Sequence, residues 1–218
     1  RIDITPCRCS PVRVLNKPYT TLTSGSVPAV LPPGKYYVPS NLVLSGSTDF
    51  NSAIMLIEPN VQITVPSTAK LTIDNSHLFV CPDTNQLWKG IDLQSAVTST
   101  SCNSGRIEVK NNSLIEDAQI AIKALNPCDP GIGLGNIIDI NMATFNRNNY
   151  GIWIENFTLT SPVSYPFAIK ASVFTSRNLG IFAAYPLSWP STTTLKSTFT
   201  NTAATAPYVL CRDYSGIN

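Results

Sequence analysis

Apolar residues along this chain recur in columns, not in a helical stripe. The pairs Gly90-Ile91, Ala121-Ile122, Gly151-Ile152 and Gly180-Ile181 return every 29 to 31 residues, and one further step reaches Val209-Leu210. Val109, Ile140 and Ile169 stand 12 or 13 residues before their Ile. Leu114, Phe145 and Phe174 follow those positions by 5 residues, and Ile73 with Leu78 shows the same step one period earlier. Within Arg106–Ile115, Asn136–Phe145 and Phe167–Phe174 apolar residues alternate with polar or small ones. That is the two-residue period of a half-buried strand. Each period therefore predicts three short strands separated by turns. Such units cannot bury an apolar face alone and must stack as coils.

A helical reading fails on composition. The segments are short, rich in Ile, Val, Thr and Phe, and broken by Asn, Ser, Gly and Pro. Residues 115–124 have some helical character, but their counterparts Asn146–Gly151 and Ser176–Gly180 are turn-like, so turn then strand is expected there. Gly or Ala before each Ile suits a tight corner, where a larger side chain would crowd the next coil. Asn112, Asn149 and Asn178 suit left-handed turn positions. Short strands over 35–38, 42–44, 53–57 and 61–65 read as opening coils. Residues 1–33 are punctuated by six prolines and read as an irregular entry or cap segment, with the coiled domain over 34–218. The tail keeps the period only loosely and ends without a polar cap, so the native chain is expected to continue beyond it.

The phrases Leu71–Ser76, Leu87–Leu93 and Ser113–Ile122 carry a resemblance. Over about Val61 to Leu210 the chain resembles the right-handed parallel β-helix of pectate-lyase-like proteins, in the form found in large secreted surface proteins of the Bacteroidetes. The resemblance implies an all-β solenoid with coils of about 30 residues. It also implies a parent protein ending in a sorting domain for outer-membrane secretion. It brings no catalytic motif with it.

Composition agrees with an exported β-surface. Charged residues make up 13 per cent of the chain, about half the usual share, and Thr, Ser and Asn take their place. The formal charge of +2 comes without a Lys/Arg cluster, which argues against nucleic acid. No apolar run approaches a membrane span. The start at Arg1 reads as a mature or excised portion of a longer protein or assembly. The cysteines Cys7, Cys9, Cys81, Cys102, Cys128 and Cys211 match no zinc spacing, and the single His77 completes no site. Disulfides fit an exported chain. Cys81 and Cys102 flank the Gly90-Ile91 strand and form the favoured bridge; the partners of Cys7, Cys9 and Cys128 stay open, as do free buried thiols.

The remaining question is chemistry. Longer connections are expected over 82–86, 96–105, 126–135, 157–166 and 185–191, most of them shortly after the Gly-Ile strand. Stacked loops of this kind build binding faces. Trp88, Tyr150, Tyr185 and Trp189 lie in or near them and are the candidate ligand-binding residues, since aromatic rings stack on sugar faces; Trp153 is expected to fix a loop to the shaft. A lyase would need carboxylates gathered around calcium, and a hydrolase a carboxylate pair ~5–9.5 Å apart. The columns align Asp92 with Lys123 and bring no two carboxylates together. Glu116-Asp117 reads as a turn pair, Arg147 and Arg177 as surface arginines on neighbouring coils, and Gly131–Gly135 as a loop tip. The leading expectation is a non-catalytic extracellular β-helix. It would serve as a shaft or adhesin meeting a cell-surface glycan or protein, with no cofactor or metal. A polysaccharide lyase or hydrolase is the runner-up, and a fibre subunit the third reading.

Overall fold

Three strand positions recur through successive coils of the chain. The computed structural model describes residues 19–80, 86–97, 102–125, 127, 137–155, 167–184, 194–195 and 198–201. After β1 (Thr20–Thr21), the first coil holds β2 (Val30–Leu31), β3 (Gly34–Val38) and β4 (Leu42–Val43), and the second β5 (Thr48–Asn51), β6 (Ala53–Ile57) and β7 (Gln62–Val65). The third coil holds β8 (Lys70–Asp74), β9 (His77–Val80) and β10 (Trp88–Leu93), followed by a ribbon of β11 (Ser95–Val97) and β12 (Cys102–Ser104). The fourth holds β13 (Arg106–Lys110), β14 (Leu114–Glu116) and β15 (Ala118–Leu125). In the next two coils the second and third positions fuse, giving β16 (Ile138–Asn141) with β17 (Thr144–Glu155), then β18 (Phe167–Lys170) with β19 (Val173–Ala184). Last come β20 (Thr194–Leu195) and β21 (Thr198–Asn201).

Each position stacks on its counterpart one coil away. The first forms a seven-stranded sheet, β2-β5-β8-β13-β16-β18-β20. The second and third merge through β17 into a twelve-stranded sheet that curls around the core. Every pairing between coils is parallel, and only the β11–β12 ribbon is antiparallel. The described chain is thus all-β, with no helix, and of a solenoid-like class. β1 and β2 fall inside the segment read as irregular, yet pair in parallel with β3 and β5; residues 1–18 lie outside the described residues.

Register fixes the core. Leu42, Ile63, Ile91, Ile122 and Ile152 pair in succession, each at most 1% exposed, and Ile181 continues the backbone ladder. Phe50, Ile73, Val109, Ile140 and Ile169 form a second buried column. The third departs from the expected one. Its members are Met55, Leu78, Ile115, Phe145 and Phe174, so Ile115 replaces Leu114. The reason is local: the fourth coil turns through two left-handed residues, Asn111 and Asn112, and the extra residue moves the inward position on by one. All three columns join one cluster, in which the rings of Phe145 and Phe174 stack at 4.6 Å and 4°. Each fully buried side chain of this size contributes roughly 1.5–3 kcal/mol. A smaller outer cluster packs Tyr19, Tyr37 and Phe79 on Leu56.

The corner between the first and second positions is tight and repeats one device. Ser52, Asn75, Asn112, Met142 and Ala171 have φ between 47° and 62°, which turns the chain sharply. Buried serines then tie the corner to its neighbours. Ser76 Oγ donates to the Phe50 carbonyl and accepts from Ala53 N, Ser113 Oγ accepts from Ser76 N, and Ser172 Oγ accepts from Ala143 N. The corner before the first position carries the longest connections. The outward residues Val30, Asp49, Thr72, Glu108, Asp139 and Ala168 are in register although 19 to 36 residues separate neighbours.

Phe145→Ala opens a void between Ile115 and Phe174 and should cost about 3–5 kcal/mol in urea unfolding. Met142 is 44% exposed at φ 53°, so Met142→Asn should raise stability by about 0.5 kcal/mol in the same assay.

Candidate functional site

The corner between β14 and β15 holds the densest polar chemistry among the described residues. Asp117 and Arg147 take left-handed φ of 57° and 55° there, whereas Asn149, expected at a turn, lies within strand β17. Arg147 Nε and Nη2 donate to the two Asp117 oxygens at 3.0 and 2.8 Å, and Nη1 reaches Glu116 Oε1 at 3.0 Å. Glu116 also meets His77 Nε2 at 2.6 Å and accepts from Asn146 Nδ2 at 2.6 Å. Burial pushes the Glu116 carboxyl up. His77, the Arg147 charge and Asn146 outweigh it, and the net position lies below the usual glutamate range. Below this layer Asn148, fully buried, accepts from Ala118 N and donates to the Ile115 carbonyl. Trp88 is also fully buried, its Nε1 donating to the Glu116 carbonyl at 2.7 Å. Arg147 is therefore a corner clamp, not a loose surface arginine, and Trp88 is an interior side chain with no face for a sugar.

Beside this corner runs an open groove of about 470 Å³. Asn60, Gln86, Gln119 and Asn149 line it with amides, Leu87 and Ile120 add apolar surface, and Tyr150 adds a phenol ring. Sequence dictates its shape. Gly90 sits in register with Ile120 at φ 101°, and a Cβ there would lie 1.6 Å from the Ile120 carbonyl oxygen. Only glycine allows this approach. Ala121 is then the extra residue of a bulge that returns Ile122 to register with Ile91. Ile120 pairs with Tyr150 on the next coil, and the Tyr150 ring meets Trp153 edge-on at 4.7 Å.

The seven-stranded sheet corrects one expectation. Glu108 and Asp139 pair in register on adjacent coils, so two carboxylates do stack. The signal was present, since each directly precedes a column residue, Val109 or Ile140. Glu108 is engaged by Lys70 at 2.6 Å and Lys110 at 3.0 Å; the Lys70 hydrogen bond chiefly, with Lys110 adding to it, holds its carboxyl below the usual range against the effect of burial. Asp92 and Lys123 pair as the columns require, at 3.8 Å, with Trp153 following Lys123.

Of the candidate ligand residues, the structure brings Tyr150 to a groove and Trp88 to the core; Tyr185 and Trp189 lie outside the described residues. So does Cys81, while Cys102 stands in β12. The four amides carried no sequence signal beyond being polar near a corner. Among the described residues no group of three or more His, Cys, Asp or Glu could hold a metal ion, and no helix is long and apolar enough to cross a membrane. No family model matches the chain, and no curated protein or solved structure is significantly similar to it.

Because the Glu116 carboxyl is depressed in the folded state, its contribution to stability is complete above the unfolded glutamate pKa and is lost as pH falls through the folded one. Glu116→Gln should therefore unfold more readily at neutral pH and lose part of the acid-side slope of stability, read by urea titrations across the acidic range.

Proposed function

We propose that this chain is a non-catalytic module of an exported bacterial surface protein. In this reading it is a right-handed parallel β-helix that acts as a stiff shaft or adhesin and meets a glycan or protein on a cell surface. The observation that carries it is the unbroken register of three apolar columns through successive coils. Such a stack transmits load along its axis, and its coils present rows of side chains at a constant spacing. A low share of charged residues suits an extracellular surface of this kind. The non-catalytic part rests on how the carboxylates are held. Arg147, His77 and Asn146 surround Glu116, and two lysines engage Glu108. A carboxylate fixed in that way is poorly placed to take or give a proton.

One observation favours a second reading, a carbohydrate-active enzyme. Glu108 and Asp139 share an outward column on neighbouring coils, with lysines beside them. The two readings separate in one assay. The purified chain is incubated with pectin, alginate, chondroitin and neutral plant polysaccharides, and both reducing ends and the unsaturated-uronate absorbance are followed. The expected result is no product from any of them. Product formation abolished by both Glu108→Gln and Asp139→Asn would replace the shaft with the enzyme. Export is checked separately by antibody labelling of intact cells of the source organism, where surface staining is expected.

A further inference from the structure

We infer that the groove beside Tyr150 is a binding site for an uncharged oligosaccharide lying along the axis of the stack. The inference rests on the adhesin reading for the ligand class; the location, charge and direction come from the groove itself.

Location follows from the bulge. Gly90 contributes no side chain, and the bulge at Ala121 sets Ile120 in register with both Gly90 and Tyr150. Half-buried Ile120, with the edge of the nearly buried Leu87, gives the groove an apolar floor between polar side chains. Tyr150 stands at its far end. Its edge-on contact with Trp153 at 4.7 Å and 90° fixes the ring in place, so little freedom is lost when a ligand stacks on it. This differs from the expected arrangement, in which glycan contact runs through the long loops.

The charge of the ligand follows from the lining. Asn60, Gln86, Gln119 and Asn149 each offer an amide that can both donate and accept, which matches the dual character of a sugar hydroxyl. Among the described residues, no Asp, Glu, Lys or Arg lines the groove. Of the cations nearby, Arg147 is held by Asp117 and Glu116 and Lys123 by Asp92, while Lys89, exposed in β10, is not among the residues that line the groove. A uronate entering this groove would give up water without gaining a cation from the described lining, an expensive exchange. An uncharged sugar meets no such penalty.

Direction follows from the coils. Asn60 precedes β7 of the second coil, Gln86 precedes β10 of the third, Gln119 lies in β15 of the fourth and Asn149 in β17 of the fifth. Successive rungs are ~4.8 Å apart, so four rungs span ~14 Å. That step is close to the length of one pyranose ring in an extended chain. The groove thus draws an amide from each of four successive coils, and Gln119 and Asn149 directly precede the paired Ile120 and Tyr150, so its length crosses from coil to coil.

The test titrates the intact chain with short cello-, xylo-, manno- and laminari-oligosaccharides, and with oligogalacturonates and oligoalginates of the same length, following tryptophan fluorescence and calorimetry. At least one neutral series should bind and the acidic ones should not. Tyr150→Ala should weaken that binding about tenfold or more and Gln119→Ala several-fold, both with unchanged thermal unfolding, while Tyr150→Phe keeps most of the affinity. Tighter binding of the acidic series, or neutral binding indifferent to both alanine variants, would overturn the groove assignment and leave the adhesin reading in place. Absence of binding in every series also overturns it. Lack of surface labelling on cells, by contrast, would count against the adhesin reading and leave the groove result intact.

Discussion

Each residue of the three inward columns described pairs with a column residue one coil away, and the parallel ladder leaves it no other partner. The outward Lys70 meets Arg106 and the inward Ile73 meets Val109 because the backbone hydrogen bonds permit one register. A slip of one residue would turn every inward side chain outward. The stack therefore needs apolar residues at each inward column position in each coil. Ile63, Ile91, Ile122 and Ile152 are the visible result. Hydrophobic burial and hydrogen-bond register enforce each other here.

Corners are where this arrangement would fail without help, because a turning backbone leaves polar groups facing the interior. An unpaired buried group costs about 1–3 kcal/mol. The chain answers with side chains that stand in for the missing ladder bonds. Ser76, Ser113 and Ser172 do so at the first corner and Asn148 at the second. Among the described residues, charge is used in this way at one corner. Arg147 fastens Asp117 and Glu116, one coil back, and Trp88 fills the space beneath by bonding the Glu116 carbonyl. The most polar cluster of the described molecule is thus explained by its place in the scaffold. The groove beside it owes its form to what is missing, the side chain of Gly90.

Much of this was legible in the chain because inward positions obey a simple rule. The Ile column, the pairing of Asp92 with Lys123 and the neighbourhood of Trp153 all follow from counting. Counting failed where corners change length. Asn111 and Asn112 displaced Leu114 in favour of Ile115, and the first coils are far shorter than the period suggests. Trp88, a candidate ligand residue by its place near a loop, is buried instead, and its indole's partner, a backbone carbonyl, leaves no trace in sequence. The stacked pair Glu108 and Asp139 follows from the Val109–Ile140 column and not from that of the Gly-Ile pairs. The groove itself could not be read, since it joins four coils through a bulge whose only sign is one glycine.

The uneven lengths of the coils have a further meaning. Residues 94–105, 126–137, 156–166 and 185–193 all join the third strand position of one coil to the first position of the next, and the register of the flanking strands holds across each. New sequence can enter at that edge without disturbing the ladder on either side, because loop closure grows costly only slowly with length. The scaffold thus separates what must be conserved for folding from what is free to diversify, and peptide epitopes grafted along that edge would be displayed in a single evenly spaced file.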